Sequence, residues 1–177
     1  LICDVYTPDG KPFEGDPRNV LQKVIDQAAE MGYGFNVGPE CEFFLFDTDE
    51  EGNPTNETKE RAMYLDMAPL DSGENARRAI IFALEELGFE MESSHHEDAP
   101  AQHAVAFKRA SGVKMADQIL TLRNTVRTIG ARNGFHATFM PKPRTDLPGS
   151  AMAITLTGTA ETVAQMTSAT DVYGMSE

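Results

Sequence analysis

The chain contains no tryptophan and only two cysteines, Cys3 and Cys41, among 177 residues. Two cysteines so placed make neither a metal-ligand spacing nor a disulfide framework, which points to a reducing, cytoplasmic setting. Positive charge is scarce too: 15 Lys and Arg stand against 28 Asp and Glu, for a net charge of −13. That excess argues against nucleic acid or an anionic membrane surface as partner. It leaves ATP open, because a bound cation inverts the potential of one pocket. No apolar run approaches the ~20 residues that cross a bilayer, and no signal-peptide pattern precedes the first strand-like residues. Starting methionine, internal repeats and low-complexity tracts are all missing. Leu1 opens directly into a hydrophobic run and Glu177 closes without a terminating signal, so a fragment of a longer polypeptide is expected. What remains, 41% hydrophobic and 24% charged, suffices for one domain with a sizeable core.

The stretch that organises the chain is Gly38-Pro39-Glu40-Cys41-Glu42-Phe43-Phe44-Leu45-Phe46-Asp47. On a strand, alternation sends Glu40 and Glu42 to one face and Cys41 and Phe43 to the other. Two carboxylates so close repel, so a cation must sit between them, or one must take up a proton or turn into solvent. The aromatic run behind them reads as a buried strand, with the pair at its mouth, where a hard cation finds oxygen ligands. A second cluster, Ser93-Ser94-His95-His96-Glu97, offers a third carboxylate and two imidazoles. His95 and His96 point to opposite faces, so at most one of them can share a site with Glu97 through the same strand. His136, alone on a short hydrophobic strand, reads as a core histidine. Paired carboxylates also serve glycoside hydrolysis. Two glutamates on one strand face, about 7 Å apart by strand rise, do not flank a sugar from opposite sides.

Taken in order, Leu1–Tyr6 reads as a short strand ending in a turn at Pro8-Asp9-Gly10. A helix follows, with Asp16 as N-cap, Pro17 at its first position, and Val20, Leu21, Val24, Ile25 and Ala28 on one face. Asp49 to Asn56 is an exposed acidic loop. Met63 to Leu70 has no decisive period. A second helix runs from Asp71 or Ser72 to Leu87, with Ala76, Ile80, Ala83, Leu84 and Leu87 as its buried stripe and Gly88 closing it. Phe89–Glu97 and His103–Lys108 make a hairpin over Ala99-Pro100-Ala101, which brings Glu92, His95 and Glu97 near one sheet face. A long helix spans Val113–Arg132 on Met115, Ile119, Leu122, Val126 and Ile129; strands follow at Phe135–Met140 and Ala151–Thr157. The expected fold is α+β: a mostly antiparallel curved sheet carrying the carboxylates, with helices packed on one face.

Several of these stretches together resemble the glutamine synthetase family. Gly38 to Phe46 is similar to its first metal-binding strand, His95-His96-Glu97-Asp98-Ala99-Pro100-Ala101-Gln102-His103 to its second, and Ala137-Thr138-Phe139-Met140-Pro141-Lys142-Pro143 to a family signature. Ile2 to Tyr6, Phe13 to Arg18 and Tyr173 to Glu177 extend the likeness. The resemblance implies an incomplete glutamine synthetase/guanido kinase-like catalytic domain, with 1–16 the end of an amino-terminal domain and linker and 17–177 part of the catalytic domain. It implies an ATP-dependent glutamate–ammonia ligase of nitrogen metabolism, using glutamate, ammonia and ATP, with two Mg²⁺ or Mn²⁺ ions per site. It further implies a homo-oligomeric ring with active sites between subunits, so that this piece alone is inactive. By position, Glu42 and Glu97 match ligands of one metal and Glu40 a ligand of the other. Glu92 matches a nucleotide contact, Gly149 lies in the glutamate-binding glycine segment, and His95 lines the same pocket.

The chain departs from the family pattern where chemistry is at stake. Ala104 stands where the family has a third carboxylate, Ala153 where it has a histidine metal ligand, and Thr155 where it has a histidine near ATP. Alanine offers no donor atom, so each cation loses part of its shell. Likeness is lost from Ala153 to Thr170. A second implication therefore stands beside the first: a non-catalytic relative that keeps the fold and has lost metal ligands.

Overall fold

The computed structural model describes residues 1–158. The closing motif at 173–177 and the stretch from 159 to 170 lie outside the described residues. The spine is strand β1 (Phe35–Asp47). β3 (Gln102–Phe107), β4 (Ala110–Ser111) and β5 (Phe135–Thr138) run antiparallel to it, β2 (Met91–His96) pairs antiparallel with β3, and β6 (Met152–Gly158) pairs with β1. Together they form a six-stranded sheet. The helices among the described residues are α1 (Pro17–Glu30), α2 (Glu74–Glu86) and α3 (Gly112–Arg132). The α+β expectation and its mostly antiparallel sheet agree with this architecture.

Among the described residues, the chain divides into two compact units: 1–38, 109–117 and 155–158, and separately 39–108 with 118–154. In the first unit, α1 starts as its caps dictate: the Asp16 side chain accepts from Arg18 N, and Pro17 opens the helix. Arg18 grips Asp117 through two bonds of 3.1 Å each and also pairs with Asp4. One expectation fails here. Leu1–Tyr6 is not a strand, because only the single bridge Tyr6↔Pro12 gives it a partner, and extended chain without a ladder is not a sheet. The apolar stripe of α1, for its part, is left uncovered. No α1 residue is buried, and Val20 and Val24 are exposed. Periodicity identifies an apolar face but not what covers it.

The second unit holds the core. Phe43, Phe44, Leu45 and Phe46 are all fully buried, which on β1 means that both faces of the strand are covered. At about 1.5–3 kcal/mol for each such side chain, this run anchors the unit. Phe43 and Leu45 face the helices. Phe43 stands opposite His103, which Arg77 of α2 contacts, while the backbone of Gly130 in α3 lies against Leu45 and Ala137 so closely that an added Cβ would come within 3.4 Å of both. Phe44 and Phe46 lie on the opposite face, stacked 5.0 Å apart in a cluster with Ala99, Ala101 and Leu147. That is the face of Glu40 and Glu42, which thus turns apolar two residues beyond the carboxylates. Smaller differences concern ends. α2 starts at Glu74 rather than Asp71 or Ser72, Leu87 is its exposed C-cap, and β5 stops at Thr138. Asp71 precedes the N-cap, Gly73, and its carboxylate is engaged by Arg77.

Candidate functional site

Register decides which side chains meet. On β1 and β3, Glu40 lies opposite Ala106 and Glu42 opposite Ala104; on β2 and β3, His95 lies opposite Ala104 and His96 opposite His103. Cross-strand neighbours share a face. Glu40, Glu42, Ala104 and His95 therefore stand on one face, and His96 and His103 on the helix-covered one. Glu97, just past the end of β2, turns back to this first face: its Oε1 lies 2.8 Å from His95 Nε2, which is 3.7 Å from Glu40 Oε1. One ligand atom from each of Glu40, His95 and Glu97 lies within 4.8 Å of the others.

Glu42 is handled differently. Its Oε2 accepts from Gln102 Nε2 at 3.1 Å and from Ala151 N at 2.9 Å. The Gln102 amide also donates to Gly149 O at 3.0 Å and reaches Ser150 Oγ at 3.3 Å, while its own oxygen accepts from Ala99 N. This buried amide thus ties Glu42 to the 149–151 segment. A cavity of about 270 Å³ opens beside it, lined by Glu42, Arg123, Phe139, Pro141, Ser150 and Met152 among others. The repulsion expected between neighbouring glutamates is relieved in two ways: Glu40 leaves 42% of its side chain exposed, and Glu42 takes two N–H donors. The geometry groups Glu97 with Glu40 and His95, where the resemblance pairs it with Glu42.

Electrostatics favour positive charge at this point. Burial, and after it the charge of Glu42, raise the Glu97 carboxyl above its ordinary value against the pull of His95. Cys41 takes no part. Burial, with the charge of Glu40, pushes its thiol up to about 11, so it is neither thiolate nucleophile nor ligand at neutral pH.

The remaining expected residues are placed as follows. Glu92 is exposed, at the irregularity where the β2–β3 register shifts between Met91 and Ser93. Gly149 is exposed, with its carbonyl held by Gln102; a Cβ there would meet Pro141 O at 2.6 Å, so only glycine fits this turn. Ala104 is fully buried between Glu42 and His95 and offers them no donor; Ala153 and Thr155 are exposed on β6. His136 is half-buried, opposite Phe46.

Sequence reading misses a buried polar network behind the hairpin. Burial works to raise the Glu60 carboxyl, but bonds from His96, Ser72 and Ala101 outweigh it and bring it down to about 2. Burial works to lower His96, and the bond and charge of Glu60, with the Glu97 carbonyl and the charge of Asp71, together outweigh that, leaving the ring raised. Arg77 Nη1 donates to Asp71 at 2.6 Å and to His103 Nδ1 at 2.7 Å. Burial, then the charge of Arg77, drive His103 far below its ordinary value and keep it neutral. The one available signal was His96: a histidine turned away from its neighbour's site, into a core, requires a polar partner there.

Comparison with known proteins gives the family to which the chain is similar. A family model described as glutamine synthetase, catalytic domain, matches residues 14–177. Glutamine synthetases of Clostridium saccharobutylicum and Staphylococcus aureus (strain MW2) are 54% identical over 156 residues and 52% identical over 153. The matches take in 88% and 86% of this chain but 35% and 34% of those proteins, so the chain spans about a third of the length of the curated relatives it matches. Plasmodium falciparum glutamine synthetase superposes with a TM-score of 0.77 at 23% identity, over 87% of this chain and 36% of its own, a likeness of fold.

Proposed function

The chain belongs to the glutamine synthetase catalytic-domain family, and on that premise we propose that it is part of an ATP-dependent ligase joining ammonia to glutamate through a γ-glutamyl phosphate. A carboxylate is a poor electrophile, and phosphorylation supplies the leaving group that ammonia displaces. A bound divalent cation offsets the negative charge that gathers between triphosphate and carboxylate. Glu40, Glu97 and His95 fit one such ion: two carboxylate oxygens and an imidazole nitrogen within 4.8 Å, a donor set suited to Mn²⁺ or Mg²⁺. The residues around Glu42 do not fit a second. Its Oε2 accepts from Gln102 and Ala151, and Ala104 opposite adds no ligand, which leaves Oε1 alone on that side.

The convergence of Glu40, His95 and Glu97 from two separate segments carries this reading. Within it, Glu42 shapes the site by holding 149–151, Gly149 and His95 border the glutamate, and Glu92 contacts the nucleotide. Residues 1–16 end a preceding domain, the parent assembles as a ring with shared active sites in the cytoplasm, and this piece alone does not turn over. The test is Mn²⁺ calorimetry on the full-length parent, together with a glutamine-formation assay. Binding with turnover is the expected result; no Mn²⁺ binding overturns it. A second reading, a non-catalytic relative, is favoured by Ala104 opposite Glu42. Mn²⁺ binding without glutamate- and ammonia-dependent phosphate release from ATP decides for it.

A further inference from the structure

We propose that Glu60 is a positioning residue for Glu97, acting through the His96 ring. Glu60 lies on an irregular segment, yet its side chain is 1% exposed and its two oxygens serve five donor or ring positions. Oε2 accepts from Ser72 N at 2.8 Å, Ser72 Oγ at 2.7 Å and Gly73 N at 3.3 Å, which pins the lead-in to α2. Oε1 accepts from Ala101 N at 2.5 Å, in the β2–β3 turn, and pairs with His96 Nε2 at 2.7 Å. The other ring nitrogen of His96, Nδ1, donates to the carbonyl oxygen of Glu97 at 2.7 Å. Glu97 N donates to Gln102 O at 2.8 Å, so both backbone polar groups of Glu97 are held. With its backbone clamped, the Glu97 side chain has one short reach, to His95 and Glu40 on the open face.

The buried carboxylates and imidazoles here are not themselves a second cation site, although Glu60, Asp71, His96 and His103 approach within 4.8 Å. Arg77 places its own positive charge between Asp71 and His103. Because an arginine only donates, His103 Nδ1 is the acceptor and Nε2 carries the proton, so it offers a cation no lone pair. The network is a brace. Its use follows from a general property of ligand carboxylates, whose outer partners fix their direction and tune cation affinity.

The inference rests on the reading of Glu97 as a cation ligand. The experiment measures Mn²⁺ affinity of the full-length parent from the electron paramagnetic resonance signal of free Mn²⁺, at a temperature where circular dichroism shows each variant folded. Glu60→Gln replaces one acceptor oxygen by a donor. His96→Asn keeps a donor for Glu97 O and removes the link to Glu60. Both are expected to weaken binding about tenfold or more, while Asp71→Asn, which breaks only the Arg77 side of the network, stays within about twofold. Should Glu60→Gln not fold, His96→Asn decides alone. Wild-type affinity in both variants, or an equal loss in Asp71→Asn, overturns the inference while leaving the cation site standing. No Mn²⁺ binding by the unsubstituted protein overturns the cation site, and the inference with it.

Discussion

Placing a glutamate at position 104 is expected to cost more stability without metal than with it. Ala104 stands directly between Glu42 and His95 in the cross-strand row, and Glu97 already has its carboxyl raised by burial and by Glu42. Directly opposed Cβ atoms lie about 5 Å apart. Two unit charges at that separation repel by roughly 3 kcal/mol at an effective dielectric of about 20. Proton uptake by one carboxyl limits the loss, so Ala104→Glu is expected to cost about 2 kcal/mol in EDTA relative to Ala104→Gln, which has the same size and no charge. With Mn²⁺ at about 100 times its dissociation constant, binding stabilises the folded state by about 2.7 kcal/mol, and an added carboxylate ligand that tightens binding tenfold adds about 1.4 kcal/mol. Urea unfolding of the full-length variants, in EDTA and in Mn²⁺, reads both numbers. The gap between the Glu and Gln variants should narrow in Mn²⁺ from about 2 to about 0.6 kcal/mol. An identical gap in both solutions would refute the argument that this face holds a cation.

Phe46→Ala, at a fully buried position in the cluster with Phe44, Ala99 and Ala101, is expected to cost about 3–5 kcal/mol in the same unfolding assay. Acid should destabilise the fold through Glu60. Its folded value is depressed to about 2 from 4.5, so its contribution is present above pH 4.5 and is lost as pH falls toward 2. His103, held neutral, loses stability in the same direction below pH 6.5; His96, raised, works the other way. Unfolding midpoints measured from pH 7 to pH 3 should therefore fall less steeply in Glu60→Gln than in the unsubstituted protein. Cys41, buried and with its thiol at about 11, should resist a thiol reagent at neutral pH until the chain unfolds, while exposed Cys3 reacts at once; mass spectrometry of labelled peptides distinguishes them.

Much of the fold was legible because it depends on local chemistry. The Asp16-Pro17 start of α1, the glycine that follows each helix, the β2–β3 hairpin and the long α3 all follow from caps, turns and period. The sharing of one face by Glu40 and Glu42, and the separation of His95 from His96, follow from strand alternation. The rest shares a cause. Leu1–Tyr6 has strand-like residues but no ladder, and the α1 stripe is apolar but uncovered, because pairing and coverage depend on distant parts of the chain.

By itself, the order of residues determined which side chains could reach the carboxylate face and which family the chain resembles, since alternation and motif spacing are properties of neighbours. Tertiary structure alone decided the contacts. It grouped Glu97 with Glu40 and His95, gave Glu42 to Gln102 and Ala151, and set Glu60 beneath the hairpin. Hydrogen-bond partners separated by 36 to 109 positions along the chain are chosen by packing, and no local pattern encodes them.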